Sequence, residues 1–177
     1  MSDLVFTPAH QLAQMIRDRT VSAAEVLDAY LKQIVKYDSQ LNAICTLDEE
    51  RARQRAREAD EALARGENWG ILHGVPVTIK DLFETAGLVT TAGYKPLKDY
   101  VPKTDATVVA RLREAGAVIM GKTNSAKLGA NYQSTNDLFA RVNNPWNLEY
   151  TAGGSSGGSA AAIAAGLSPL DIGSDIG

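Results

Sequence analysis

Two serines and a lysine are the residues of this chain best suited to chemistry. Ser155 and Ser156 lie between two glycine pairs in residues 153–159 (GGSSGGS), which run directly into small apolar residues at 160–166. Such a loop allows close approach of the backbone and places hydroxyl groups beside the electropositive start of a helix. Lys80 is the third residue, and a lysine beside a serine can generate a nucleophile without histidine.

The surroundings of Lys80 favour a role in proton transfer. It directly follows the apolar run at residues 75–79 (VPVTI) and precedes Asp81. Most lysines form ion pairs or extend into solvent. A lysine at the end of a buried strand instead loses hydration, which lowers its pKa and makes the neutral amine available as a base.

The glycine-rich loop does not match the common nucleotide-binding patterns. A Walker loop requires a terminal Gly-Lys-Ser/Thr, and residues 153–159 contain no lysine. The dinucleotide fingerprint requires glycines at i, i+2 and i+5, and no register of residues 153–158 supplies them. A tight turn whose serines cap a helix is the structural alternative, although two glycine pairs around Ser155 and Ser156 exceed what a cap requires.

Composition limits the functional classes. The 177 residues are 45% hydrophobic and 22% charged, which is typical of one soluble globular domain. A formal net charge of −3 without a basic stretch gives no reason to expect nucleic-acid binding. No secretory leader or apolar window of ~18 residues is found, so we expect a cytoplasmic protein with no membrane segment.

The other reactive residue types do not form a recognisable site. Cys45 is the single cysteine, which precludes an intrachain disulfide, and its apolar neighbours predict a buried structural thiol. His10 and His73 lack the spacing of a metal site or a catalytic triad. We therefore predict neither a metal nor an organic cofactor.

The N-terminal part, residues 1–66, is predicted to be helical. Thr7 and Pro8 are typical of a helix start, and the 22–25 segment (SAAE) is a capping box that opens a second helix with apolar residues up to Val35. A third, highly charged helix is expected over residues 48–65, ended by a glycine.

Residues 67–177 have a different pattern, with strands expected at 71–79, 117–120 and 169–172. A helix from Asp105, which would cap it, to residue 115 separates the first two strands, and residues 143–147 form a turn-rich connection. Alternating strands and helices indicate an α/β architecture with a largely parallel sheet. We expect residues 1–177 to belong to one domain, in which 1–66 pack on the α/β core of 67–177.

An ordered set of motifs resembles one known family. The motifs are residues 74–81 (GVPVTIKD), 105–109 (DATVV), 121–124 (GKTN), 144–146 (NPW), 153–159 (GGSSGGS) and 173–177 (GSDIG). Together they closely resemble the amidase signature family over nearly the whole chain, most weakly over the N-terminal helices. The resemblance implies a mixed, largely parallel sheet flanked by helices and incomplete at the C-terminus of this chain.

The resemblance also implies a Ser-Ser-Lys triad. Lys80 would be the base and Ser155 the bridging serine, held by a cis peptide after Gly154, while Ser156 would support the loop through hydrogen bonds. Backbone N–H groups of Ile176, Gly177 and a following glycine would form the oxyanion hole. The nucleophilic serine of the family would come two residues beyond Gly177, so we expect these 177 residues alone to be inactive.

Three functions are compatible with these observations. The first is a general amidase that hydrolyses the C–N bond of a small-molecule carboxamide. The second is the A subunit of glutamyl-tRNA(Gln) amidotransferase, which releases ammonia from glutamine and requires other subunits. The segment at 126–130 (AKLGA) departs from the acidic, Met-rich segment of that subunit, so we favour the first. The third is a non-catalytic fragment that associates with a complementing C-terminal part.

Overall fold

A computed structural model describes residues 4–175. The helices are α1 (Ala9–Arg17), α2 (Ala23–Leu41), α3 (Glu49–Ala64), α4 (Thr107–Glu114) and α5 (Gly157–Ala164). The strands are β1 (Ile44–Leu47), β2 (Pro76–Lys80), β3 (Val118–Thr123), β4 (Asn143–Asn144), β5 (Asn147–Thr151) and β6 (Asp171–Ile172). Short 3-10 helices occur at Leu4–Phe6, Lys95–Leu97 and Lys127–Gly129.

The central sheet is mixed and mostly parallel, as predicted. Its strand order is β1-β3-β2-β6, with β2 parallel to both β3 and β6 and with β1 antiparallel to β3. Helix α4 connects β2 to β3, and α5 precedes β6. Strands β4 and β5 form a separate antiparallel hairpin. Because β2 lies between two parallel neighbours, its carboxyl end is surrounded by the loops that follow β3 and β6.

The predicted capping box starts α2. The Glu25 N–H donates to Ser22 Oγ at 3.1 Å, and the Ser22 N–H donates to Glu25 Oε2 at 2.9 Å. The Asp60 carboxylate of α3 accepts from two more free amides, the Ala23 N–H at 2.7 Å and the Ala24 N–H at 3.1 Å. The apolar stripe of α2 is buried except at Val35, which is 81% exposed although the helical spacing predicted it to be in the core.

Helix α3 packs through alanines. Ala52, Ala56, Ala59 and Ala62 are completely buried and recur at three- and four-residue intervals, whereas the charged residues occupy the opposite face. Small side chains allow the helix to lie close to α2 and β3. The hydrophobic core therefore joins the N-terminal helices to the sheet.

Several predicted boundaries were wrong; for example, the strand expected at 117–120 is β3, which continues to Thr123. The strand expected over 71–79 is limited to β2, because turns precede it: the His73 N–H donates to the Gly70 carbonyl and the Val75 N–H to the Leu72 carbonyl. Asp105 does not cap α4, whose N-cap is Ala106. The Asp105 carboxylate instead accepts from the Ala86 N–H at 2.7 Å and Arg113 Nε at 2.8 Å.

Strand β1 was not predicted. Its four residues are half-buried and too few to show a clear period, and they become a strand by pairing with β3 at one edge of the sheet. Cys45 lies on this strand, and its thiol donates to the Lys122 carbonyl at 3.5 Å. Burial raises the pKa of the Cys45 thiol, which fits a structural rather than a reactive role.

None of the helices within residues 4–175 combines the length and apolar character needed to span a lipid bilayer.

We predict that Ser22→Ala lowers the free energy of unfolding by about 1 kcal/mol, because the Glu25 amide loses its side-chain acceptor. Chemical denaturation followed by circular dichroism measures this change. Ser39→Ala, at an exposed position of the same helix, is the matched control and should be neutral or slightly stabilising. Equal effects of the two substitutions would contradict a contribution from the capping box.

Candidate active site

Lys80 ends a fully buried strand and is itself completely buried. Its Nζ donates to Ser155 Oγ at 2.7 Å and to Ser174 Oγ at 2.8 Å. The Ser174 carbonyl lies 3.3 Å from the same nitrogen. The two serines belong to the loops before α5 and after β6, so the parallel sheet brings together three segments that are far apart in the sequence.

The peptide bond between Gly154 and Ser155 is cis, as the family resemblance implied. The Ser155 carbonyl accepts from the Ala126 N–H at 3.0 Å and from Ser134 Oγ at 3.3 Å. These contacts connect the serine loop to the segment that follows β3. The Ser155 hydroxyl is thereby held toward Lys80.

Ser156 is the N-cap residue of α5, but its side chain does not cap the helix. Its hydroxyl donates to the Ser174 carbonyl at 3.1 Å and accepts from the Ser174 N–H at 3.2 Å. The simple capping role considered for these serines is therefore not the one that Ser156 has. Its hydrogen bonds tie the loop before α5 to the loop after β6.

Glycines permit the close packing of this loop. A Cβ atom built on Gly158 would lie 2.2 Å from the Asn124 carbonyl oxygen, and one on Gly154 would lie 2.8 Å from the backbone of Gln133. Only a residue without a side chain fits at either position. The Gly158 N–H uses this closeness to donate to the Asn124 carbonyl at 3.0 Å.

Burial and nearby charges have opposite effects on the protonation of Lys80. Burial lowers the pKa of its amino group, while the negative charges of Asp171 and Asp175 act in the opposite direction. Lys80 makes no salt bridge with the residues described. A buried amine with a lowered pKa and a hydroxyl neighbour has the properties of a general base.

A second buried lysine lies on the adjacent strand and has a different environment. Lys122 Nζ donates to the Phe83 carbonyl, to Thr85 Oγ1 at 2.9 Å and to Thr90 Oγ1 at 3.3 Å. Burial lowers its pKa to about 8, and the Asp81 carboxylate opposes this change. Because its donors are directed to the 83–90 segment, Lys122 holds that loop, and Lys80 is the better candidate for the base.

A cavity of about 200 Å³ adjoins the serine loop. Its lining residues are Gly129, Ala130, Asn131, Tyr132, Gly154, Ser155 and Asp175. The Tyr132 side chain is 87% exposed beside it. The cis peptide and Ser155 therefore line one side of the cavity, and Asp175 of the loop after β6 lines another.

The other sequence candidates lie elsewhere or outside the described range. Ile176 and Gly177, the predicted oxyanion-hole residues, are not among the described residues. His10 is exposed on α1. His73 is buried; its Nδ1 accepts from the Trp69 N–H at 3.0 Å, and its Nε2 lies 3.0 Å from the Ala59 carbonyl oxygen. No three His, Cys, Asp or Glu side chains within residues 4–175 are grouped so that they could hold a metal ion.

Sequence reasoning missed two residues near the site. Ser174 contacts Lys80 directly, and its place in the GSDIG motif was the only available signal. Asp171 accepts from Thr78 Oγ1 at 2.6 Å and from Thr123 Oγ1 at 3.0 Å. No sequence signal identified Asp171, because its partners come from two other strands.

The chain is similar to known proteins in both sequence and fold. The model of the Amidase family matches residues 25–177. The chain is 47% identical over 177 residues to the glutamyl-tRNA(Gln) amidotransferase A subunit of Acidothermus cellulolyticus, covering 100% of this chain and 35% of that protein. The structure of an amidase aligns with a TM-score of 0.89 at 36% identity, over 96% of this chain and 38% of its own. The structure of fatty acid amide hydrolase aligns with a TM-score of 0.93 at 27% identity, over 98% of this chain and 31% of its own.

The chain therefore belongs to the amidase family, and its α/β fold is that of the amidase-signature enzymes. It spans about a third of the length of the relatives it matches.

We predict that Gly158→Ala destabilises the protein by about 3 kcal/mol, because the new methyl group would overlap the Asn124 backbone. Gly153→Ala is the comparison: it has no atom within 4 Å of the added methyl group, but its φ of +82° imposes a cost of about 1–2 kcal/mol. Thermal unfolding monitored by circular dichroism gives both values. A smaller loss for Gly158→Ala than for Gly153→Ala would contradict the packing argument.

Proposed function

We propose that the full-length protein containing this chain hydrolyses the C–N bond of carboxamides, with Lys80 and Ser155 as parts of its proton relay. The observation that carries the proposal is the 2.7 Å contact between the buried Lys80 Nζ and Ser155 Oγ. Burial lowers the pKa of the Lys80 amine and so favours the neutral form that can accept a proton.

The proposed relay begins with neutral Lys80, which accepts a proton from the Ser155 hydroxyl as Ser155 takes one from the nucleophilic serine. By resemblance to the family, that serine lies two residues beyond Gly177. Its oxygen attacks the amide carbonyl carbon, and the oxyanion is stabilised by backbone N–H groups, for which we propose Ile176 and Gly177 among others. One such donor contributes about 3 kcal/mol in other enzymes.

The relay then runs in reverse. The C–N bond breaks as the proton returns from Lys80 through Ser155 to the leaving ammonia or amine. Water hydrolyses the resulting acyl-serine ester by the same proton path and releases the carboxylate. We assign Ser156 and Gly154 a supporting role, because they hold the loop in which Ser155 lies.

The relatives favour a second candidate in the same family. The 47% identity to the amidotransferase A subunit supports a protein that releases ammonia from glutamine within an assembly of subunits. Under the first candidate the partner is a small-molecule amide alone, and under the second other subunits are also required. We propose a cytoplasmic location for either, and we propose that residues 1–177 form part of one domain.

We predict that Lys80→Ala in the full-length protein lowers kcat for amide hydrolysis at least about 100-fold, because the relay loses its base. Ammonia release from glutamine and from simple aliphatic and aromatic carboxamides is the measurement. Lys103→Ala removes a lysine at an exposed position and should retain normal activity. Near-normal turnover by folded Lys80→Ala would overturn the proposal.

The same assay separates the two candidates. Hydrolysis of simple carboxamides by the isolated full-length protein supports the general amidase. Glutamine-specific ammonia release that requires the other amidotransferase subunits to be added supports the second candidate.

A further inference from the structure

A carboxyl group lies on the same face of the sheet as Lys80, one strand away. Asp171 of β6 pairs with Thr78 of β2, and Lys80 pairs with Thr123 of β3. Because side chains alternate along a strand, Thr78 and Lys80 share one face. The Asp171 carboxylate accepts from both threonine hydroxyls through Oδ2, at 2.6 and 3.0 Å.

The second carboxylate oxygen of Asp171 has an unusual environment for a buried polar atom. Oδ1 of Asp171 is buried and has no hydrogen-bond partner within residues 4–175. The Ser159 hydroxyl of α5 extends the network, since its Oγ lies 3.1 Å from Thr123 Oγ1. A buried carboxyl group costs free energy unless its charge or its hydrogen bonds are compensated, and Lys80 and Lys122 are the cations that interact with it electrostatically.

Among the described residues, few charged groups act on Lys80 and Asp171. Asp171 and Asp175 both raise the pKa of Lys80 against the effect of burial. Burial raises the pKa of Asp171, while the hydroxyls of Ser159, Thr78 and Thr123 and the charge of Lys122 lower it. The neighbouring Asp81 is occupied with Thr91, from which it accepts hydrogen bonds through both oxygens.

We propose that Asp171 is a positioning residue for the base: its carboxylate, fixed by Thr78 and Thr123, supplies the negative charge that balances protonated Lys80 inside the sheet. The inference rests on the proposed function only in taking Lys80 as the base. Burial alone would make the amine a weak proton acceptor. A fixed carboxylate one strand away offsets this effect without a direct salt bridge, so that Lys80 Nζ can still exchange a proton with Ser155.

The structure supplies a substitution that changes the charge with little other disturbance. In Asp171→Asn the amide oxygen can replace Oδ2 and keep both threonine hydrogen bonds. The amide nitrogen then takes the place of Oδ1, where no described partner is lost. Asp99→Asn makes the same chemical change on a side chain that is 86% exposed and serves as the matched control.

The test is the titration of the Lys80 amine in the full-length protein, labelled with ¹³C at lysine Cε and followed by NMR, with the resonance assigned from Lys80→Met. Removing a nearby negative charge destabilises the ammonium form. We therefore expect Asp171→Asn to lower the pKa of Lys80 by about one unit and Asp99→Asn to leave it unchanged. An unchanged or raised pKa of Lys80 in Asp171→Asn would overturn the inference.

A reciprocal measurement covers the case in which Asp171→Asn does not fold. Coupling between two charges acts equally in both directions, so Lys80→Met should raise the pKa of the Asp171 carboxyl, measured by ¹³C NMR of labelled aspartate. An Asp171 pKa that stays the same or falls would refute the coupling.

The pH dependence of activity separates this inference from the proposed function. The acidic limb of the kcat/KM–pH profile reports the pKa of the base. It should therefore move to lower pH in Asp171→Asn, in the same direction as the pKa of Lys80. If the wild-type protein hydrolyses no amide, the proposed function fails while the NMR titrations still decide the role of Asp171. If it is active and the limb does not move, the inference fails alone.

Discussion

Burial of the Lys80 amino group among hydroxyls is the interaction on which the rest of the site depends. An ammonium group loses most of its hydration at the end of a buried strand, and it remains there only because oxygen atoms replace the water. Ser155 and Ser174 provide these oxygens from two different loops. Burial makes the neutral form accessible, because these few oxygen atoms compensate only part of the lost hydration.

The fold around this lysine provides rigidity rather than further chemistry. Gly154 and Gly158 bring the serine loop into contact with the backbone of the segment after β3, where any side chain would overlap neighbouring atoms. Ser156 ties the same loop to the segment after β6. The serine loop and the loops that follow the parallel strands β3 and β6 are thus joined by hydrogen bonds, which fix the distance between amine and hydroxyl.

The two buried lysines show how environment separates similar residues. Both follow apolar residues on adjacent parallel strands, and burial lowers the pKa of each. Lys122 directs its donors to the loop at residues 83–90, whereas Lys80 directs its donors to serine hydroxyls. The first arrangement is structural, and the second permits proton exchange. Neither the type of residue nor its burial distinguishes the two lysines. Their hydrogen-bond partners do.

The sequence by itself determined the α/β class, the capping box of α2, the serine loop and the motif that contains Lys80, because each depends on local pattern or on contiguous motifs. It did not determine β1, whose four residues become a strand only by pairing with β3. Nor did it reveal Asp171 and Ser174, whose roles come from contacts with residues distant in the chain. Local patterns encode helices, turns and motifs, whereas strand pairing and the convergence of loops depend on contacts that only the folded chain creates.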